Sequence, residues 1–193
     1  MNYLKIDKED LCNGEGLRVV LWLSGCSHKC KGCQNPQTWD ANSGILFDES
    51  AKKELFRELD KDYISGLTLT GGDPLFESNL DGMLDLVADV NERYNTSSNE
   101  IRLSKPEKSI WLYTGYTLED ITGGMAYDKN GAFFMLEDDR KRYQIISSCD
   151  VLIDGRFIDT QKDMTLKWRG SKNQRVIDIQ KCLQKGEVVL WED

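Results

Sequence analysis

The sequence predicts an α/β fold with a mostly parallel sheet, closed no further than an open partial (β/α) barrel. Three observations lead there. Short runs rich in valine and leucine alternate with amphipathic helical stretches. Several of those runs stop abruptly at glycine-bearing turns. A chain of 193 residues holds too few such units for a full eight-stranded barrel. In parallel sheets of this kind, ligands bind beyond the carboxyl ends of the strands, so the turns after the strands are the segments to inspect.

Leu17 to Leu23 reads as a buried strand. It delivers the chain into a loop that Gly25, Gly32 and Pro36 keep irregular. Asp48 is placed to cap a helix from Glu49 to Leu59, with Leu55, Phe56 and Leu59 on one face. Gly66 to Thr70 is a second strand, ended by Gly71-Gly72-Asp73-Pro74. Leu80, Met83, Leu84, Val87 and Val90 recur at helical spacing and predict a helix to about Arg93. Residues 95–108 are polar without periodicity and read as a surface loop or insertion.

Ser109 to Tyr113 is a third strand, ended by Thr114-Gly115-Tyr116. Thr117 and Asp120 suit the cap of a short helix, and residues 138–147 suit another. Cys149 to Ile153 reads as a fourth strand, followed by Asp154-Gly155-Arg156-Phe157. Residues 175–179 and 188–191 read as short strands. The cysteine-bearing loop, the Gly71-Gly72-Asp73 turn and the Thr114-Gly115-Tyr116 turn each follow a strand, so all three are expected on one rim.

An apolar fraction of 39% and a charged fraction of 30% fit a soluble globular protein. The net charge of -8 excludes a broadly basic nucleic-acid binder and suits a basic protein partner instead. The start, Met1 to Asp7, lacks the apolar core of a signal peptide, and no stretch approaches a membrane span. A cytoplasmic location is expected. Six cysteines in a reducing compartment do not form a disulfide scaffold. Cys12, Cys149 and Cys182 are expected to be buried small apolar residues.

The other three cysteines stand together as Cys26-x3-Cys30-x2-Cys33. They offer three thiolates to one centre. A cubane iron–sulfur cluster held by three cysteines keeps one iron open for a small molecule, whereas a structural zinc site takes a fourth protein ligand. His28, the only histidine, sits inside the loop and is able to close a Cys3His zinc site. The crowding of all candidates into one loop favours iron, because zinc usually staples separated segments. The Gly71-Gly72-Asp73-Pro74 turn is likewise double in meaning. It is a tight turn, or a stretch of open backbone able to hold the amino group of an amino-acid-like ligand.

The ordered motifs go further. The cysteine loop after a first strand, with Gly-Gly-Asp-Pro after the second, resembles the radical S-adenosylmethionine superfamily. Leu23 to Asn35, Thr38-Trp39, Trp111 to Tyr116, Asp150 to Phe157 and Trp168 to Arg175 resemble one branch, the anaerobic ribonucleoside-triphosphate reductase-activating proteins. The resemblance implies that Cys26, Cys30 and Cys33 bind a [4Fe-4S] cluster whose open iron takes S-adenosyl-L-methionine. Gly32, Cys33, Gln34, Gly71, Gly72 and Asp73 would lie against that cofactor, and no catalytic residue beyond cluster and cofactor is implied. It further implies an oxidoreductase of the glycyl-radical activating kind. Its protein substrate would be the reductase large subunit, and a flavodoxin-like protein would donate electrons.

Against compact members of that family, residues 1–193 read as one domain with insertions near 95–108 and 122–142 and an extension after 178. The alternatives are another radical S-adenosylmethionine enzyme (a different glycyl-radical activase or a deazaguanine synthase) and a zinc-binding module without catalysis. In the segment Trp168 to Arg175, Ser171, Asn173 and Gln174 are candidates for cofactor or partner contact, or else for an ordinary turn.

Overall fold

The computed structural model describes residues 1–95, 106–123, 125–127 and 133–192. A seven-stranded sheet carries β1 (Asn2–Asp10), β2 (Arg18–Leu23), β3 (Ile45–Leu46), β4 (Gly66–Gly71), β5 (Ser109–Tyr113), β8 (Val151–Asp154) and β9 (Arg175–Asp178), in the order β3-β1-β2-β4-β5-β8-β9. Between β5 and β8, β6 (Met125–Tyr127) and β7 (Phe133–Met135) form a separate antiparallel pair. The central strands β2, β4, β5 and β8 run parallel, β1 and β9 flank them antiparallel, and β3 pairs antiparallel with β1 at the edge. The fold is thus mixed α/β, parallel at its centre, as the alternating pattern predicts.

The helices are α1 (Glu49–Leu59), α2 (Leu80–Tyr94), α3 (Leu118–Thr122), α4 (Glu137–Ser147) and α5 (Ile179–Lys185). Asp48 caps α1 by accepting from the amides of Ser50 and Ala51. Thr117 and Asp120 close a reciprocal capping box on α3. Both caps were legible from residue type alone. The predicted strand at 188–191 is a correction: it reduces to an isolated bridge, Leu190 to Ile177, beyond a helix α5 that ends at a left-handed Gly186.

Strand alternation divides the sheet into two faces. Val19, Leu21, Leu23, Leu67, Leu69, Ile110, Leu112 and Leu152 point into the main core, against Leu55, Leu80, Met83, Val87, Ile121, Ile145 and Ile179 of the helices. Trp111, Val151 and Ile153 point the other way and pack with Tyr113, Trp168 and Trp191. Trp111 meets Trp168 edge-on at 4.9 Å and Trp191 at 5.5 Å. Among the described residues, Trp168 of the loop before β9 and Trp191 near the chain's end cover this second face.

Residues 96–105 lie outside the described residues, so the expected insertion there is visible only at its ends. Asn95 bonds both the amide and the carbonyl of Lys108. Lys108 corrects the surface-loop reading: it is buried, and its Nζ donates to the carbonyls of Lys61 and Ile64. Residues 124 and 128–132 of the second expected insertion are likewise outside. Among the described residues, no helix is long and apolar enough to cross a membrane.

Candidate functional site

The four parallel strands deliver four turns to one rim. Cys26, Cys30 and Cys33 after β2, Gly71, Gly72 and Asp73 after β4, Thr114 and Gly115 after β5, and Gly155 after β8 line one cavity of about 370 Å³. Trp22, Thr70, Tyr113 and Trp168 form its floor and wall on the second face of the sheet. Gln34 also lines it. Gly32 does not; it sits on the outer side of the loop, where a Cβ would come 2.8 Å from Oδ1 of Asp159.

The glycine turn is locked to the cysteine loop. The amide of Gly72 donates to Leu23, and that of Asp73 to Gly25. A Cβ on Gly72 would lie 2.5 Å from the Gly25 carbonyl oxygen, so close backbone approach itself demands glycine there. Asn79, buried at the start of α2, donates from its side-chain amide to Ser24 and to Asp73. Tight packing and an open ligand edge therefore occur in the same turn.

Asp73 is 1% exposed. Its carboxylate accepts from the amides of Leu75 and Gly115 and from the Thr114 hydroxyl, and it faces Nε2 of His28 at 2.8 Å. His28 stacks edge-on against Tyr116 at 4.6 Å. The pairing with Asp73 removes Nε2 from any metal-closing role. Among the described residues, no three His, Cys, Asp or Glu side chains are gathered to hold a single metal ion.

The donor set fits an iron–sulfur group. The three thiols are half-buried on one loop, and each receives peptide N–H bonds. Cys26 takes those of His28 and Lys29, Cys30 that of Phe157, and Cys33 that of Asn35 at 3.3 Å. Such bonds stabilise sulfur that carries negative charge. Burial pushes the free Cys26 thiol up to about 11, against the pull of those amides. Burial also raises the Cys30 thiol. Two further polar atoms in the cavity lining are buried without a partner, Nε1 of Trp39 and Nδ1 of His28.

Sequence reasoning missed several of these residues. Trp39 was visible only as part of a motif, and Phe157 acts through its backbone, which no residue type reveals. Cys12 is a correction: it is exposed and lines the cavity. Cys149 is fully buried as expected, and Cys182 is half-buried.

Residues 168–175 build a loop. Gln174 accepts from the amides of Gly170 and Ser171 and donates to the Gly155 carbonyl. Asn173 donates to the carbonyl of Arg156, and the Ser171 hydroxyl to Asn173. These bonds hold Met164, Leu166 and Trp168 along the cavity edge.

Comparison with known proteins bears on the same segments. Residues 12–177 match the family described as "4Fe-4S single cluster domain". The chain is 42% identical over 178 residues to the anaerobic ribonucleoside-triphosphate reductase-activating protein of Enterobacteria phage T4, covering 91% of this chain and 93% of that one. It is 37% identical to the protein of the same name in Haemophilus influenzae, over 90% of this chain and 96% of the relative. For the Escherichia coli K12 protein of that name, identity is 35% over 91% and 97%.

Proposed function

The chain belongs to the family of anaerobic ribonucleoside-triphosphate reductase-activating proteins, which carry a 4Fe-4S domain, and from that premise we propose that it activates such a reductase by placing a glycyl radical on it. Cys26, Cys30 and Cys33 would hold a [4Fe-4S] cluster, with S-adenosyl-L-methionine on the open iron. Bound together, these groups supply reductive cleavage of the sulfonium and a radical able to take a hydrogen atom from a glycine of the reductase.

The chain's own residues bind, orient and exclude water. Peptide N–H groups at the three thiols offset the negative charge of a cluster. The Gly71-Gly72-Asp73 turn and Gln34 face the cavity where the methionine part would lie. Trp22, Trp39, Tyr113 and Trp168 surround the space with aromatic surface. We read the four parallel strands as the open partial barrel of the radical S-adenosylmethionine superfamily. The chain would be one domain with insertions and a C-terminal extension, acting in the cytoplasm with a flavodoxin-like electron donor.

The observation that carries the reading is the set of three half-buried thiols on one loop, with the loop's histidine held by Asp73 instead of closing the set. The test is anaerobic reconstitution with iron and sulfide, then addition of the matched reductase and reductant. A glycyl radical detected by electron paramagnetic resonance is expected. Cys30→Ala is expected to abolish cofactor cleavage while leaving the fold intact. An intact cluster that cleaves the cofactor yet yields no radical on the reductase would sink the assignment.

A further inference from the structure

The acidic chain has a basic collar on the outer side of its cysteine loop. From Ser24 to Trp39 the loop carries Lys29 and Lys31 and no carboxylate, in a protein of net charge -8. The turn after β8 closes against the same side. The Phe157 amide bonds the Cys30 thiol, the Arg156 guanidinium acts on that thiol electrostatically, and Gly32 abuts Asp159. Lys29, Lys31, Arg156 and Lys162 are all exposed there, with the apolar Ile158 exposed among them.

The nearby carboxylates are occupied elsewhere. Asp139 pairs with Arg142, Asp120 closes the α3 capping box, and Asp154 and Glu119 both bind Arg175. Asp163, next to Lys162, faces Lys172 at 3.6 Å, and Asp159 lies beside Gly32, which leaves the patch net positive. The cavity mouth is different in kind: Met164 and Leu166 make it apolar.

We propose that this collar is the docking surface for an acidic, low-potential protein that delivers single electrons to the cluster, leaving the cavity mouth to the reductase. The proposal rests on the function proposed above. Charge complementarity names the occupant, since an acidic partner would be repelled by the net charge of -8 and attracted by this patch. The patch is also one peptide hydrogen bond from a cluster ligand, through the Phe157 amide to Cys30. In the step itself the donor loses one electron and the cluster gains one; no bond or proton is exchanged.

The test uses the reconstituted full chain with two reductants: reduced flavodoxin, as the acidic protein probe, and dithionite, which needs no docking. Cluster reduction is followed by electron paramagnetic resonance. The variant Lys31→Glu/Lys162→Glu should be reduced by flavodoxin at least tenfold more slowly, with a far smaller change in its rate with dithionite. The unaltered chain should lose its flavodoxin-driven rate as salt rises. A variant reduced by flavodoxin at the original rate, or a salt-indifferent rate in the unaltered chain, would overturn the proposal. So would a variant that fails to activate the reductase with dithionite, because the collar would then belong to the reductase interface. A chain that forms no reducible cluster fails earlier and overturns the reading of function on which the proposal rests.

Discussion

Nε2 of His28 lies 2.8 Å from Oδ2 of Asp73, and the two side chains are 4% and 2% exposed. The carboxylate accepts two peptide N–H bonds and the Thr114 hydroxyl, so it acts as an acceptor only. The network therefore places a proton on Nε2. In the neutral ring Nδ1 is then a buried acceptor, the atom that has no partner. Asp73 thus ties the turns after β4 and β5 to the cysteine loop through one side chain.

Replacing that carboxylate should loosen all three segments. Asp73→Asn leaves one oxygen and adds a donor facing donors, a buried mismatch of about 2–4 kcal/mol. We expect a lower urea midpoint in the apo chain and less iron retained after reconstitution. His28→Phe keeps the packing on Tyr116 and should be milder in stability. Equal iron content and equal midpoints for Asp73→Asn would rule out the tie.

Gly72→Ala addresses the backbone approach. Its new methyl would sit 2.5 Å from the Gly25 carbonyl oxygen, backbone against backbone, with no flexible side chain to yield. A loss of about 1–3 kcal/mol is expected, with poorer cluster loading. Thermal melts and iron analysis measure both. Gly186→Ala meets nothing nearby but a left-handed φ of 69°, so it should cost only about 1 kcal/mol and leave loading unchanged.

Arg18 is fully buried, and among the described residues no carboxylate bonds it. Its guanidinium donates to Thr68, to Ser109 and to the carbonyls of Glu15, Leu67 and Ser109, and it lies 5.3 Å from the Trp111 ring. Burial brings it down to about 10. A lysine is not able to fill that fork. Arg18→Lys should lose about 2–4 kcal/mol in denaturant unfolding. A loss under about 0.5 kcal/mol would mean that the carbonyls find other donors.

Acid stability should depend on Glu119. The Arg175 guanidinium beside it holds its carboxyl at about 2, below the ordinary 4.5. Because the folded value is depressed, the stabilisation is present above 4.5 and is lost as pH falls toward 2. Glu119 is 59% exposed, so solvent screening limits the effect to less than about 1 kcal/mol. Glu119→Gln should lower the neutral value by that amount and leave the value near pH 2 nearly unchanged, which flattens the acid limb of the stability curve. Urea unfolding across that range at low salt checks it.

Legibility followed locality. α1, α2, α3 and β5 were readable because caps and periodicity lie within a few residues. β1 was not: its nine residues are half charged, and it is a strand because β2 and β3 pair with it on either side. α5 had its signals, Asp178 before it and Gly186 after, in a stretch short enough to pass as a tail. Lys108 read as solvent-facing, and only the carbonyls it meets across the fold make it a buried cap.

By itself the sequence determined the α/β class, the rim of turns, the cysteine triad and the family, because each is written in spacing and order along the chain. Tertiary structure alone decided the rest. It set His28 against Asp73, brought the Phe157 amide to Cys30, exposed Cys12 in the cavity and gathered the lysines of the loop with Arg156. Those relations join segments tens of residues apart, through backbone groups and packing that residue identity does not encode.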